Sequence, residues 1–166
     1  DSEKGVHAGV LSGDGNQLLD VFTNSETARK VEIINTNTLK RNNLLTADNP
    51  LAKYERPEIQ NITLKADDGT PLYGKLILPT NFDATKKYPL LLFQYSGPGS
   101  QQVANQWLGA NDYWHMMLAQ QGVLVACVDG RGTGFKGAAF KKVTQKELGK
   151  YEVEDQIDAA KELGKY

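Results

Sequence analysis

Between residues 88 and 135 the sequence almost runs out of charge. Over these 48 residues only Asp112, Asp129 and Arg131 are charged, while the other 118 residues hold the remaining 36 Asp, Glu, Lys and Arg side chains. A stretch so poor in charge belongs in an interior. It contains two continuous apolar runs, 89–93 and 123–128, of the kind that forms strands covered on both faces. Between 101 and 121, Val103, Trp107, Ala110, Trp114 and Met117 recur at the helical period. Gly122 tolerates the left-handed conformation that ends a helix. Further on, Val153, Ile157, Ala160 and Leu163 form a one-sided apolar stripe with acids and lysines opposite, which predicts a second helix packed through that stripe. Strand, helix, strand, helix in short succession predicts an α/β arrangement with a parallel sheet and helices on its faces. With only two such strands, the sheet should keep one uncovered flank, for which a neighbouring chain is the expected cover.

The opening third reads differently. The turn cluster 13–16 precedes a strand over 17–23, and 30–35 supplies a second strand after the polar turn 24–27. Two strands alone are only marginally stable in water, so they should belong to a larger antiparallel sheet. Residues 40–57, mostly polar with Pro50 and Pro57, read as a linker. A hairpin follows, with strands over 59–65 and 72–78 joined by the turn 66–69, where Gly69 can take positive φ.

Composition narrows the function classes. Nineteen Lys and Arg against twenty Asp and Glu give a net charge of −1, which argues against a nucleic-acid or anionic-membrane surface. No apolar run approaches the ~18 residues of a membrane span. The single cysteine, Cys127, excludes an internal disulfide and a cysteine-rich zinc site, and in its apolar run it reads as a small core residue. Asp1 in place of a methionine suggests a processed chain or an excised piece.

Complete catalytic sets are absent from the sequence. Ser12, Ser96 and Ser100 each lack at least one glycine of G-x-S-x-G. Of the two histidines, His7 lies in a polar stretch and His115 reads as a packed or half-exposed helix residue. No metal-ligand spacing appears, so no cofactor or metal is expected. Gly132, Gly134 and Gly137 match G-x-G-x-x-G, but the acid expected ~20 residues later at a strand end falls at 154–158, in a helical pattern; a tight turn is the simpler reading. Asn61–Thr63 matches a glycosylation sequon by pattern alone. Tyr95, beside Gly97, Pro98 and Gly99 at the end of a buried strand, sits where parallel-sheet proteins place their chemistry. Its hydroxyl could donate into a cleft above the sheet, or its ring could cap the core.

Three motifs in order carry a resemblance. Residues 88–101, which include Tyr95, are similar to the segment bearing the oxyanion tyrosine in the dipeptidyl-peptidase IV branch of the prolyl oligopeptidase family. Asp129, Gly130, Arg131, Gly132, Thr133 and Gly134 resemble that family's glycine-rich turn, and Leu148, Gly149 and 152–157 resemble the helix after it. Residues 72–88 fit as well. Residues 1–50 fit more loosely, as the closing blade of a β-propeller, which leaves 51–166 as the N-terminal portion of an α/β-hydrolase domain. The resemblance implies peptide hydrolysis by a Ser–Asp–His triad, with dipeptides released from the N-terminus after proline or alanine. It implies Tyr95 as the oxyanion-hole residue, with the nucleophile elbow, triad Asp and His expected beyond residue 166. A chain so composed should be inactive alone.

The resemblance further implies a peptide substrate in the intact protein, homodimers as often found in the family, and a periplasmic or secreted location. Two other readings stand beside it. One is a non-catalytic interaction domain with a hydrolase-like half-fold, which should self-associate or need a partner through its apolar edge. The other is a fragment of an acylaminoacyl peptidase or an esterase.

Overall fold

The computed structural model describes residues 3–165. They form two compact units: one gathers the residues up to Glu55 together with 104–113, the other comprises Arg56–Val103 and the residues from Trp114 onward.

The first unit holds a four-stranded antiparallel sheet in sequential order, β1 (Val6–Leu11), β2 (Gln17–Thr23), β3 (Lys30–Asn35) and β4 (Arg41–Thr46). The β1–β2 turn closes because Ser12 N donates to Gln17 O at 2.8 Å, while the Asp14 carboxylate accepts from Ser12 Oγ and Asn16 N. Phe22 and Ile34 are its buried apolar residues. β2 and β3 lie over the residues where the two strands were predicted. One expectation fails: 40–57 is not a linker throughout, because β4 occupies its start; β1, in the polar stretch around His7, was not predicted. β4 is exposed along its length, so no buried face imposes an apolar alternation on its sequence. His7 is held by position in β1, where its Nδ1 lies 2.8 Å from Asp20 Oδ2 and its ring meets Phe22.

The second unit holds a mixed sheet of four strands, β5 (Ile59–Lys65), β6 (Pro71–Ile77), β7 (Leu90–Phe93) and β8 (Leu124–Asp129), in the order β5-β6-β8-β7. β5, β6 and β8 pair antiparallel, and β7 pairs parallel with β8 in the register Leu90 to Leu124. Helix α1 (Ala110–Gln120) lies between β7 and β8 in the chain; α2 (Ala138–Lys142) and α3 (Lys150–Leu163) follow β8. The core gathers Leu64, Leu72, Leu76, Leu78, Ala126, Val128, Ala159 and Leu163, and Cys127 is buried beside them in β8.

The apolar run of 89–93 does not make a strand covered on both faces. β7 is the sheet's edge, with Leu90 and Leu91 39% and 37% exposed. β8, an inner strand, is the one that is buried. Nor does a helix fill 101–121. Gln102 N and Val103 N donate to the Asp129 carboxylate at 2.8–3.1 Å rather than into a helical ladder. The helix starts at Ala110, with Gly109 N donating to Asp112 Oδ2, and Gly122 follows it at φ 86°. The stripe on α3 is only partly buried: Leu163 reaches the core, but the rest of it does not. Val153 and Ile157 are 55% and 51% exposed, whereas Asp155, Asp158, Ala159 and Leu163 are buried. The reason is chemical: Asp155 binds Arg131 and Asp158 accepts from Asp67 N, so two acids pull their face of the helix inward.

Candidate functional site

Parallel pairing brings the C-terminal ends of β7 and β8 to one end of the sheet. The loop 94–101 leaves β7 there, and the turn 130–134 leaves β8. The two are tied by backbone: Gly99 N donates to Gly132 O at 2.8 Å and Gly134 N to Ser100 O at 2.7 Å. Approach this close needs glycine, since a Cβ on Gly134 would lie 2.9 Å from Gly99 O. Gly99 and Gly132 both take positive φ. Asp129, at the end of β8, steadies the far side of the first loop by accepting from Gln102 N and Val103 N. Burial pushes its carboxyl up from the ordinary range, and these backbone donors with Lys136 and Lys75 pull it partly back.

The turn itself is anchored by ions. Arg131 Nε and Nη2 donate to Asp155 at 2.6–3.1 Å, and Arg131 N donates to Asp155 Oδ2 at 2.6 Å. Arg131 Nη1 reaches Asp68 Oδ2 at 2.7 Å, and the guanidinium lies 4.5 Å from the Tyr151 ring centre. The hydrogen bonds to Asp155 raise the Arg131 pKa further, so this cation is permanent.

Tyr95 lies just past β7 and is 69% exposed. It borders a cavity of about 580 Å³ that Gly97 and Pro98 line on one side and Leu148, Val153, Gln156 and Ile157 on the other. The exposed part of that stripe, Val153, Ile157 and Ala160, is therefore a wall of this cavity. Ser96, buried, holds φ 52°, an uncommon conformation outside glycine. Its Oγ accepts from Gln156 Nε2 at 3.0 Å, and the same nitrogen donates to Val128 O at 2.9 Å.

Placed in the structure, the residues singled out by sequence separate. Tyr95 and the Asp129–Gly134 turn converge at one end of the sheet. His115 is buried on α1 against Phe93, with ring centres 4.8 Å apart, and His7 belongs to the other unit. Gly137 precedes the five-residue helix α2, and 154–158 lie within α3, so the glycine run has no acidic strand end to accompany it. Sequence reasoning missed the Gln156–Ser96 contact. A glutamine one turn along an amphipathic helix gives no signal until the loop it touches is in place. Among the described residues no cluster of three or more His, Cys, Asp or Glu is arranged for a metal, and no helix is long and apolar enough to cross a membrane.

Residues 111–166 match the prolyl oligopeptidase family. The chain is 35% identical over 157 residues to prolyl endopeptidase FAP of Homo sapiens, which spans 95% of this chain and 19% of that protein. It is 38% identical over 115 residues to dipeptidyl peptidase 4 of Trichophyton equinum, covering 68% of this chain and 15% of the relative. The solved structure of Porphyromonas gingivalis dipeptidyl peptidase 4 superposes with a TM-score of 0.87 at 31% identity, over 99% of this chain and 24% of that one. The chain thus spans less than a quarter of each relative's length.

Proposed function

Because the chain is related by sequence and fold to the prolyl oligopeptidase family of serine peptidases, we propose that it supplies the oxyanion-stabilising tyrosine, Tyr95, of a serine dipeptidyl aminopeptidase. On this reading residues 1–50 end a β-propeller and 51–166 begin an α/β-hydrolase domain. The serine, aspartate and histidine come from sequence outside these 166 residues, which by themselves do not turn over a Gly-Pro anilide. The substrate is a peptide cut after a penultimate proline or alanine, and the working protein is extracytoplasmic and dimeric.

The observation that carries the reading is the placement of Tyr95, exposed at the carboxyl end of a parallel strand and bordering an apolar-walled cavity. Ligands of open α/β sheets bind at such strand ends. When a serine attacks an amide, negative charge grows on the carbonyl oxygen. A phenol held rigidly nearby donates to that oxygen and stabilises the transition state more than the ground state.

The exposed Leu90 and Leu91 at the sheet edge favour a second reading, a non-catalytic interaction module docking through that edge. Sequencing the gene on both sides of the codons for residues 1–166 separates the two. The enzyme reading expects an open frame running on into a strand and G-x-S-x-G, with Asp and His beyond. A stop codon directly after residue 166 overturns it in favour of the interaction module.

A further inference from the structure

We propose that Gln156 is a positioning residue for Tyr95, an inference that rests on the oxyanion reading above. Ser96 follows Tyr95 directly and takes φ 52° without being glycine. Strained residues of this kind persist only where the surroundings over-determine them, and they collect at functional sites. Here the hydrogen bond to its side chain comes from one amide. Gln156 Nε2, carried on α3, donates at once to Ser96 Oγ at 3.0 Å and to Val128 O at 2.9 Å. A single side chain thereby ties the residue after Tyr95 to the C-terminal end of β8 and to the helix.

The amide cannot be turned round. Val128 O only accepts, so the NH₂ group must face it. That leaves Gln156 Oε1 buried with no hydrogen-bond partner among the described residues. An apolar residue of similar shape would avoid that desolvation but would leave Ser96 Oγ without this donor. Keeping the amide makes sense if its donors are needed to hold Ser96, and through it the backbone that aims the Tyr95 ring. Gly97 completes the constraint: a Cβ there would stand 2.5 Å from Tyr95 Cε1, so the ring lies directly over the backbone two residues further on. Its direction is thus set by residues 96–97.

Misplacing a catalytic group by about 1 Å can cost as much as ~10² in rate, so loss of the clamp should cost part of what loss of the phenol costs. The test is a double-mutant cycle in the full-length gene product, with a Gly-Pro anilide as substrate. Gln156→Leu is expected to lower kcat about tenfold with KM within about twofold. In a Tyr95→Phe background it should lower kcat less than about twofold, because there is no longer a hydroxyl to aim. Ser96→Ala, which removes only the acceptor, should show the same dependence on Tyr95 and decides the matter if Gln156→Leu does not fold. An equal loss in both backgrounds, or unchanged kcat in Gln156→Leu and Ser96→Ala while Tyr95→Phe is impaired, overturns the positioning role. Near-normal kcat in Tyr95→Phe would instead remove the oxyanion reading on which it rests.

Discussion

Replacing Asp155 by alanine tests whether a buried ion pair holds the glycine turn beside Tyr95. Asp155 is fully buried and accepts from Arg131 at N (2.6 Å), Nε (3.0 and 3.1 Å) and Nη2 (2.6 Å). Truncation leaves a main-chain donor and two guanidinium donors without their acceptor at a site where Arg131 is itself buried. Removing one partner of a buried pair typically destabilises by about 3–5 kcal/mol. Arg131 Nη1 still reaches Asp68, whose side chain is half-exposed, so water can approach that side and the loss should fall near about 3 kcal/mol. Urea melts of the 166-residue chain followed by circular dichroism measure it. Lys86→Ala is the control, because it breaks an ion pair with Asp83 that is exposed on both sides, and no resolvable change is expected. Arg131→Met with Asp155→Leu, which removes both charges together, should recover most of the stability. A loss below about 1 kcal/mol in Asp155→Ala, or a double variant no better than the single one, would refute the argument.

Further outcomes follow from neighbouring contacts. Gly134→Ala places a methyl 2.9 Å from Gly99 O, so the two loops must part and the melt should fall by about 1–3 kcal/mol; an unchanged midpoint would mean the loops do not need that approach. Acid titration of stability should show an arm from Asp158, whose pKa is lowered by the Asp67 N–H and by Lys161. Its contribution is complete above the ordinary carboxylate pKa and is lost as pH falls through the folded value, so Asp158→Asn should flatten that arm. Asp129, raised by burial, works with opposite sign: its penalty appears as pH rises from the unfolded towards the folded value. Sedimentation of the 166-residue chain should show concentration-dependent association that Leu91→Lys weakens, since a charge on an open edge discourages pairing; a monomer at all concentrations would contradict the role given to β7.

How much of this was legible in the sequence depends on what each residue answers to. β2, β3 and β5 follow from the sequence because one face of each meets a core through residues such as Phe22, Ile34 and Leu64. β4 and β1 do not, since an exposed strand carries no such imprint. The run 101–109 keeps a helical spacing through Val103 and Trp107, yet Asp129, distant in sequence, claims the amides of 102 and 103. The period of α3 was visible, and Leu163 of its stripe does reach the core, but the burial of Asp155 was not, because it depends on Arg131 from another element. At the site, Tyr95 stood out through its place at a strand end beside three turn residues. Gln156 could not, because its meaning lies in reaching Ser96 and Val128 from another element.

The most direct test of the central claim is the turnover of a Gly-Pro anilide by the full-length gene product with Tyr95→Phe. If Tyr95 donates to the developing oxyanion, kcat falls by ~10²–10³. KM changes little, because the lost hydrogen bond is made chiefly in the transition state. A kcat within about threefold of the unaltered protein, far short of the ~10²–10³ expected for a lost oxyanion donor, would contradict that role for Tyr95.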